Sequence, residues 1–363
     1  MTSTETAIGT ESMTSAEIDL RTFAATHVRV EDEFTGARFP GYRVAAIVPC
    51  YNEEAAIGKV VRDLRSTVPG MEIYVYDNRS SDATAEVARK AGAIVRRENL
   101  KGKGNVVRRA FADIDADIYL MIDGDDTYDA AAAPAMIQAL IDGPHDHVLG
   151  IREPETTGED AYRPGHENGN RMLNAVVGKV FGTNVEDMLS GYRVFSRRFV
   201  KSFPAASREF EIETELTVHC LSTRVPTTSV KVGFRDRPAG SESKLRTYRD
   251  GFKILSLIVN LARHERPVPF YGAFAALLAL LGGVTAPLGI AYATPALFTL
   301  AALSTMIGLV LDGTRKTRYE AGRLAYLGQA PVEVRPELLI EDAVTGAAAA
   351  RRAAFGRSVF EAA

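Results

Sequence analysis

Two aspartates separated by one glycine, Asp123-Gly124-Asp125, are the residues whose type and spacing most directly indicate chemistry. They follow an apolar run, Ile118 to Ile122, that is typical of a buried β-strand. Carboxylate oxygens are the ligands that Mg²⁺ and Mn²⁺ prefer, and such ions commonly bridge a protein and a diphosphate. Gly124 permits a tight turn and the close approach of a ligand. We therefore predict that Asp123 and Asp125 bind a divalent metal; an ordinary acidic surface turn is the alternative.

A second candidate site is the basic segment Lys101-Gly102-Lys103-Gly104, which precedes a predicted helix beginning at Asn105. Flexible backbone, two ammonium groups and a helix N-terminus coincide there, and together they favour anion binding. The segment lacks the Gly-x4-Gly-Lys-Ser/Thr spacing of a Walker loop. We predict that Lys101, Lys103 and Gly104 bind an anionic group of a substrate, with a basic surface turn as the alternative.

The elements that must position these residues alternate between strand and helix patterns. Val44 to Val48 is an apolar run that ends at Pro49, and the next apolar residues, at 57, 60, 61 and 64, have helical spacing. The alternation continues through predicted strands at 73–76, 93–95 and 118–122. This pattern predicts an α/β fold, Rossmann-like, with a mainly parallel sheet flanked by helices. Ligands of such sheets bind beyond the carboxyl ends of the strands, where Asn52, Asp77 and Asp123 stand.

Composition limits the classes of function. The chain has 363 residues and a net charge of -3, so no global basic field indicates a nucleic-acid partner. Its two cysteines, Cys50 and Cys220, lie far apart, match no metal-binding spacing and indicate a reducing compartment. Residues 1–40 contain no apolar run long enough for a signal peptide, and we predict that they are disordered.

A long uncharged stretch begins at Pro267. The 45 residues from Pro267 to Leu311 carry no charge, and Thr294-Pro295 divides them into two runs of membrane-spanning length. Cations flank the stretch on both sides: Arg263, Arg266, Arg315, Lys316 and Arg318. We predict a transmembrane helical hairpin with both ends on the cytoplasmic face, because loops rich in Lys and Arg stay inside. A buried core hairpin is the alternative.

Four motifs occur in an order that resembles family 2 glycosyltransferases. They are Pro49-Cys50-Tyr51-Asn52-Glu53, Asp77-Asn78-Arg79-Ser80-Ser81-Asp82, Asp123-Gly124-Asp125 and Ser190-Gly191-Tyr192-Arg193-Val194-Phe195. Over about residues 44–266 the chain is similar to dolichol-phosphate mannose synthases and related polyprenyl-phosphate glycosyltransferases. The resemblance implies a GT-A fold, an NDP-sugar donor, a divalent metal and inversion at the anomeric carbon.

The resemblance also implies roles for individual residues. Those that would line the nucleotide or contact the substrate are Pro49, Tyr51, Asn52, Glu53, Asp77 and Ser190. Asp123 and Asp125 would hold Mg²⁺ or Mn²⁺. The mannose synthases often carry a metal-contacting Gln two residues after the second Asp, where this chain has Thr127. This departure leaves the sugar open among mannose, glucose and an N-acetylhexosamine, and the nucleotide open between UDP and GDP.

A polyprenyl or dolichyl phosphate is the predicted acceptor. A monophosphate ester is mostly ionised near neutral pH, its second pKa being about 6, so its site needs cations more than a general base. The candidate cations are Arg152, Arg193, Lys244 and Arg246. Glu213, which follows Glu211 on a predicted helix, is a candidate to orient the donor sugar or to act as a base.

The predicted organisation has five segments. They are a disordered segment 1–40, a GT-A catalytic domain 41–248, an interfacial amphipathic helix 249–266, the membrane hairpin 267–312 and a cytoplasmic tail 313–363. The predicted enzyme is a glycosyltransferase of the cell membrane that moves a hexose or N-acetylhexosamine from an NDP-sugar to a polyprenyl phosphate. A transferase that acts on a sugar or lipid hydroxyl is one alternative. A catalytically silent, membrane-tethered nucleotide-sugar-binding protein is the other.

Overall fold

The structure is a computed structural model that describes residues 38–154, 174–179, 181, 185–205, 211–235, 256, 259–288 and 292–339. Seven strands in this part of the chain form one sheet. They are β1 Val44–Cys50, β2 Glu72–Asp77, β3 Ile94–Arg97, β4 Ile118–Met121, β5 His147–Pro154, β6 Arg193–Ser196 and β7 Thr227–Phe234.

Helices connect these strands and follow them. They are α1 Ile57–Thr67, α2 Thr84–Lys90, α3 Lys103–Asp113, α4 Ala133–Asp142, α5 Arg197–Ser202, α6 Ile212–Thr223, α7 Pro267–Thr285 and α8 Ala293–Leu327. The predicted alternation of strand and helix is confirmed through β4. α3 begins at Lys103, two residues before the predicted start at Asn105, so Lys103 lies in the first turn of the helix.

The sheet has the strand order β3-β2-β1-β4-β6-β5-β7. β1, β2 and β3 pair in parallel, as do β5 and β7, whereas β6 runs antiparallel to both β4 and β5. The predicted α/β class with a mainly parallel sheet is confirmed. The chain adds β2 and β3 on one side of β1 and places β4 on the other. A crevice for a ligand forms where the strand order reverses in this way, so the ends of β1 and β4 face the expected ligand position.

The centre of the sheet is apolar on both faces. Every residue of β4 is buried, and β1 is buried except at Pro49, which is half-buried. α1 packs its apolar stripe inward, because the residues with helical spacing, Ile57, Val60, Val61 and Leu64, are all buried. A strand that is covered on both faces has a continuous apolar sequence, and such runs predicted β1 and β4.

α7 and α8 pack against each other as a hairpin. The Ser304 hydroxyl donates to the Tyr271 carbonyl at 2.9 Å, and small residues allow close contact at Gly282 and Gly308. Both helices are long and apolar enough to cross a bilayer, and only 11% and 17% of their apolar windows are buried. A core hairpin would be mostly covered by the rest of the chain, and these two helices are not. α8 continues to Leu327, beyond the predicted end of the hairpin at 312.

The charged end of α8 packs on the sheet domain, and residues 45–67 and 72–332 form one compact unit. Tyr326 is buried, and its hydroxyl donates to the Asp146 carboxylate. Arg198, which also donates to Asp146 at 2.6 Å, and Arg323 place their guanidinium groups 4.5 and 5.0 Å from the Tyr326 ring centre. α8 therefore has an apolar part that is long enough for a bilayer and a charged end that packs on the sheet domain.

The remaining described residues, 38–44, 68–71 and 333–339, belong to a second unit. Most of the predicted segment 1–40 and half of the predicted segment 249–266 lie outside the described residues, and 259–265 are helical. The boundaries predicted for the five segments stay predictions.

We predict that Tyr326→Phe destabilises the protein by about 1–3 kcal/mol, because a buried hydrogen bond to a charged acceptor is lost. Thermal unfolding in detergent, followed by circular dichroism, measures the effect. Tyr292→Phe is the matched control, since Tyr292 is 91% exposed and lies at the other end of α8. Equal melting temperatures for wild type and Tyr326→Phe would show that this contact does not stabilise the fold.

Candidate active site

The aspartate pair lies directly against the end of β1. A Cβ atom added to Gly124 would stand 2.4 Å from the Cys50 sulfur and 3.4 Å from the Pro49 carbonyl oxygen. Only glycine therefore lets the chain turn at this point while it touches β1. Burial raises the pKa of the Cys50 thiol, and the carboxylates of Glu53 and Asp123 raise it further. Cys50 is consequently a neutral packing group beneath the turn.

Asp125 is buried, and its neighbour Thr127 fixes its orientation. The Thr127 hydroxyl donates to Oδ1 of Asp125 at 2.7 Å, and the Thr127 amide donates to the same oxygen at 3.3 Å. The residue that stands in place of the expected Gln thus contacts the second aspartate. Asp123 is more open, with 28% of its side chain exposed.

Lys103 joins the first aspartate to Glu213. Its ammonium nitrogen lies 2.5 Å from Oδ1 of Asp123 and 2.7 Å from Oε1 of Glu213. The Lys103 side chain is 9% exposed and that of Glu213 is 7% exposed. Burial by itself lowers the pKa of Lys103, but the two carboxylates outweigh burial and raise the pKa above its usual range. A permanent positive charge is therefore fixed beside Asp123.

The turn Ser190–Gly191 covers this pair. A Cβ atom on Gly191 would stand 2.6 Å from Oδ2 of Asp123 and 2.9 Å from the Lys103 nitrogen, so this backbone touches both charged groups. The hydroxyl of Tyr128 accepts from the Gly191 amide at 2.9 Å and lies 3.4 Å from the Ser190 hydroxyl. Burial raises the pKa of Tyr128 to about 12, so its hydroxyl stays protonated at neutral pH. Tyr128 thus holds the turn in place.

Arg193 is placed differently from Arg152, since it is completely buried. Its guanidinium donates to the carbonyls of Ser190, Met188 and Glu213 at 2.9, 2.7 and 3.3 Å, and to the Thr217 hydroxyl at 3.0 Å. Direct contact with an acceptor phosphate would require the side chain to leave these oxygens. The structure therefore places Arg193 where it supports the Ser190–Gly191 turn from within the protein.

Arg152 lies at the end of β5 in a bidentate pair with Asp187. The nitrogen–oxygen distances are 2.8 and 2.7 Å, and the guanidinium stands 5.3 Å from the ring centre of Phe234. The charges of Arg152, Asp123 and Lys103 all act on Tyr128, so these four side chains lie in one region. Sequence reasoning missed Asp187, whose only signal was its position three residues before Ser190.

The predicted nucleotide-binding residues lie at the ends of β1 and β2, which are adjacent and parallel. Asn52 has a left-handed backbone, with φ 55°, and its side chain accepts from the Ser81 amide at 2.8 Å. Glu53 is buried, and its amide donates to Thr84. Asp77 is buried and accepts from the Ser80 amide at 2.9 Å. The two motifs thus form one connected loop cluster.

The basic segment joins the same cluster through Asn78. The Asn78 side chain accepts from the Gly102 amide at 2.7 Å and donates to the Leu100 carbonyl at 2.7 Å. The ammonium group of Lys101 lies 5.3 Å from the centre of the Tyr51 ring. Asn78 therefore connects the two segments, a structural role that its position in the motif did not predict. Lys244 and Arg246 lie outside the described residues.

A divalent metal fits the aspartate pair. Among the described residues, no three or more His, Cys, Asp or Glu side chains are grouped to hold a metal ion. Mg²⁺ needs no such cage, because one or two carboxylates hold it together with substrate phosphates and water. The Asp123 side chain is 28% exposed, and Asp125 lies two residues away on the same turn. These two carboxylates therefore offer suitable ligands for a divalent ion.

The fold and the carboxylates at the strand ends are those of a GT-A glycosyltransferase. The chain belongs to glycosyl transferase family 2, whose family model, "Glycosyl transferase family 2", matches residues 45–203. This span includes β1 to β6 and the aspartate pair.

Several curated proteins are similar to this chain. Protein RfbJ of Shigella flexneri is 55% identical over 128 residues, which cover 35% of this chain and 98% of that protein. Glycosyltransferase AglJ of Haloferax volcanii is 36% identical, with 63% of this chain and 75% of the relative covered. The dolichyl-phosphate hexose transferase of the same organism is 28% identical, with 61% and 95% covered.

A solved structure shares the fold. Glucosyl-3-phosphoglycerate synthase from Mycobacterium tuberculosis, in complex with Mn²⁺, uridine diphosphate and phosphoglyceric acid, aligns with a TM-score of 0.50 at 22% identity. The alignment covers 61% of this chain and 78% of that one. At this level of identity the likeness shows the architecture.

We predict that Gly124→Ala lowers sugar transfer about 100-fold, because the added methyl collides with Cys50 and shifts both aspartates. Cys50→Ala removes the sulfur that the new methyl would strike, so the double variant should recover most of the lost rate. The measurement is turnover of a nucleotide sugar by wild type, each single variant and the double variant. Gly313→Ala is the control, since a Cβ atom there meets nothing within 4 Å. Failure of Cys50→Ala to restore any activity would contradict this packing account.

Proposed function

We propose that the protein transfers a hexose or N-acetylhexosamine from a UDP- or GDP-sugar to a polyprenyl or dolichyl phosphate, with inversion at the anomeric carbon. The observation that carries this proposal is that the aspartate pair and the two apolar helices belong to one compact unit. A lipid-linked acceptor resides in a bilayer, so an enzyme built onto membrane helices meets it there. Similarity to a dolichyl-phosphate hexose transferase supports the same acceptor class.

The donor's nucleotide would lie on the loops after β1 and β2, between Tyr51 and Asp77. Its diphosphate would then reach the aspartate pair and Lys103, whose ammonium is fixed 2.5 Å from Asp123. Asp123 and Asp125 would hold Mg²⁺ or Mn²⁺, which when bound neutralises charge on the departing diphosphate. The Mn²⁺ in the M. tuberculosis synthase complex supports a divalent ion. Lys103 adds a second, permanent positive charge for the same group.

The acceptor phosphate needs no proton removed, because it is already ionised near pH 7. One of its oxygens forms a bond to the anomeric carbon while the bond from that carbon to the donor diphosphate breaks, and the nucleoside diphosphate leaves with the electron pair. Arg152, which Asp187 and Phe234 hold at the end of β5, would orient the acceptor. Arg193 would act indirectly, since it fixes the turn that carries Ser190 and Gly191.

The membrane hairpin would place the site on the cytoplasmic side. Cations follow the apolar part of α8, where Arg315 and Lys316 pair with Asp312 at 2.7 and 2.9 Å. Arg263 and Arg266 precede α7. The bias of Lys and Arg toward cytoplasmic loops supports this orientation in the cell membrane.

We predict that membranes containing the protein form a glycosyl lipid from polyprenyl phosphate and one member of a UDP- and GDP-sugar panel, and that EDTA abolishes the reaction. Asp125→Asn should lower the rate about 100-fold or more, because a negatively charged metal ligand is lost. The fold should persist, since an amide oxygen can still accept from Thr127. Asp142→Asn, at the exposed end of α4, is the control.

Three results would count against parts of this proposal. Labelling of a sugar or lipid hydroxyl, with none on the lipid phosphate, would favour a transferase that acts on hydroxyl acceptors. Nucleotide-sugar binding without transfer to any acceptor would favour a silent binding protein. Unchanged turnover in Asp125→Asn would remove the metal assignment.

The orientation is testable with engineered thiols, because both natural cysteines are buried. We expect Tyr292→Cys, between α7 and α8, to react with a membrane-impermeant maleimide in intact cells. Lys316→Cys, 66% exposed at the other end of the membrane segment, should react only after lysis. The unmodified protein gives the background. Reaction of Lys316→Cys in intact cells would reverse the proposed topology.

A further inference from the structure

Glu213 is tied to the aspartate pair through a buried cation. Its Oε1 lies 2.7 Å from the Lys103 ammonium, which lies 2.5 Å from Asp123 on its other side. The backbone around Glu213 is fixed as well, because its carbonyl accepts from Arg193 at 3.3 Å and from the Thr217 hydroxyl at 3.1 Å. Glu213 thus has a defined position relative to Lys103.

The Lys103 ammonium is shared between two carboxylates only because Glu213 is present. Without Glu213, the ammonium would pair with Asp123 alone and neutralise it more completely. Electrostatic interactions in a partly buried site are stronger than in water, so this difference bears directly on cation affinity.

Resting on the proposed function, we infer that Glu213 is a positioning residue that acts through Lys103. It holds the ammonium group near the diphosphate position and shares that charge with Asp123, so Asp123 is only partly neutralised and remains able to bind a divalent cation. The proposed reaction does not need Glu213 as a general base. The ionised acceptor phosphate of the proposed reaction presents no proton that must be removed.

The test measures Mn²⁺ affinity directly, by electron paramagnetic resonance of free Mn²⁺ without nucleotide or acceptor. Glu213→Gln should weaken binding about tenfold, and Lys103→Met should tighten it by a similar factor. In the Lys103→Met background, adding Glu213→Gln should change the affinity less than about threefold, because the cation through which Glu213 acts is gone. Glu213→Asp keeps the charge and should retain most of the affinity.

Glu215→Gln is the matched control, since it removes the same charge two residues along α6, and its Mn²⁺ affinity should equal that of wild type. Circular dichroism melting establishes that each variant is folded. Separately, Lys103→Met should weaken UDP or GDP binding in the presence of Mn²⁺, as expected for loss of a diphosphate contact.

Three outcomes would overturn the inference. Unchanged Mn²⁺ affinity in Glu213→Gln, with loss of turnover, would give Glu213 a direct role in transfer, as a base or in orienting the donor sugar. An equal effect of Glu213→Gln in both backgrounds would show that Glu213 acts without Lys103. Absence of Mn²⁺ binding to the wild-type protein, with and without UDP or GDP, would overturn the metal assignment, and with it this inference. Because binding is measured without acceptor, failure of the proposed lipid reaction leaves these results unaffected.

Discussion

The ammonium group of Lys103, buried between Asp123 and Glu213, sets the arrangement of the elements around it. A buried charge is costly unless it is paired, so α3, the end of β4 and α6 must stay in register to supply its partners. The turn at Gly191 touches the same groups, and Tyr128 and Arg193 hold that turn from two sides. A displacement of any one of these segments would leave a charge without its partner.

Close backbone contact around the same charged groups is the second constraint on the site. Gly124 lies on the sulfur of Cys50, and Gly191 lies on Asp123, so neither position has room for a side chain. These two contacts bring the aspartate pair against the last residues of β1 and against the turn that precedes β6. The carboxylates are therefore held on closely packed backbone, which gives them the fixed geometry that the proposed metal and diphosphate would need.

A few side-chain contacts connect the sheet that carries the site to the apolar helix α8. Asp146 directly precedes β5, the strand that ends near Arg152, and Asp146 binds both Arg198 and the hydroxyl of Tyr326 on α8. α8 itself continues without a break from its apolar part to Tyr326. The helix that is apolar enough for a bilayer is thus physically joined to the sheet that positions Arg152, and this arrangement suits a reaction between a soluble donor and a membrane acceptor.

The sequence by itself determined the strands and helices through β4, the aspartate pair at a strand end, and the two apolar helices. These features depend on the spacing of neighbouring residues, which periodicity reports directly. Only the tertiary structure decided which distant side chains meet. Periodicity does not define strand order or partners, so it gave no sign that Lys103 would join Asp123 to Glu213, that Arg152 would pair with Asp187, or that Arg193 would be buried. Tyr326 meets Asp146 across 180 residues of chain, because the fold brings the end of α8 back to the sheet.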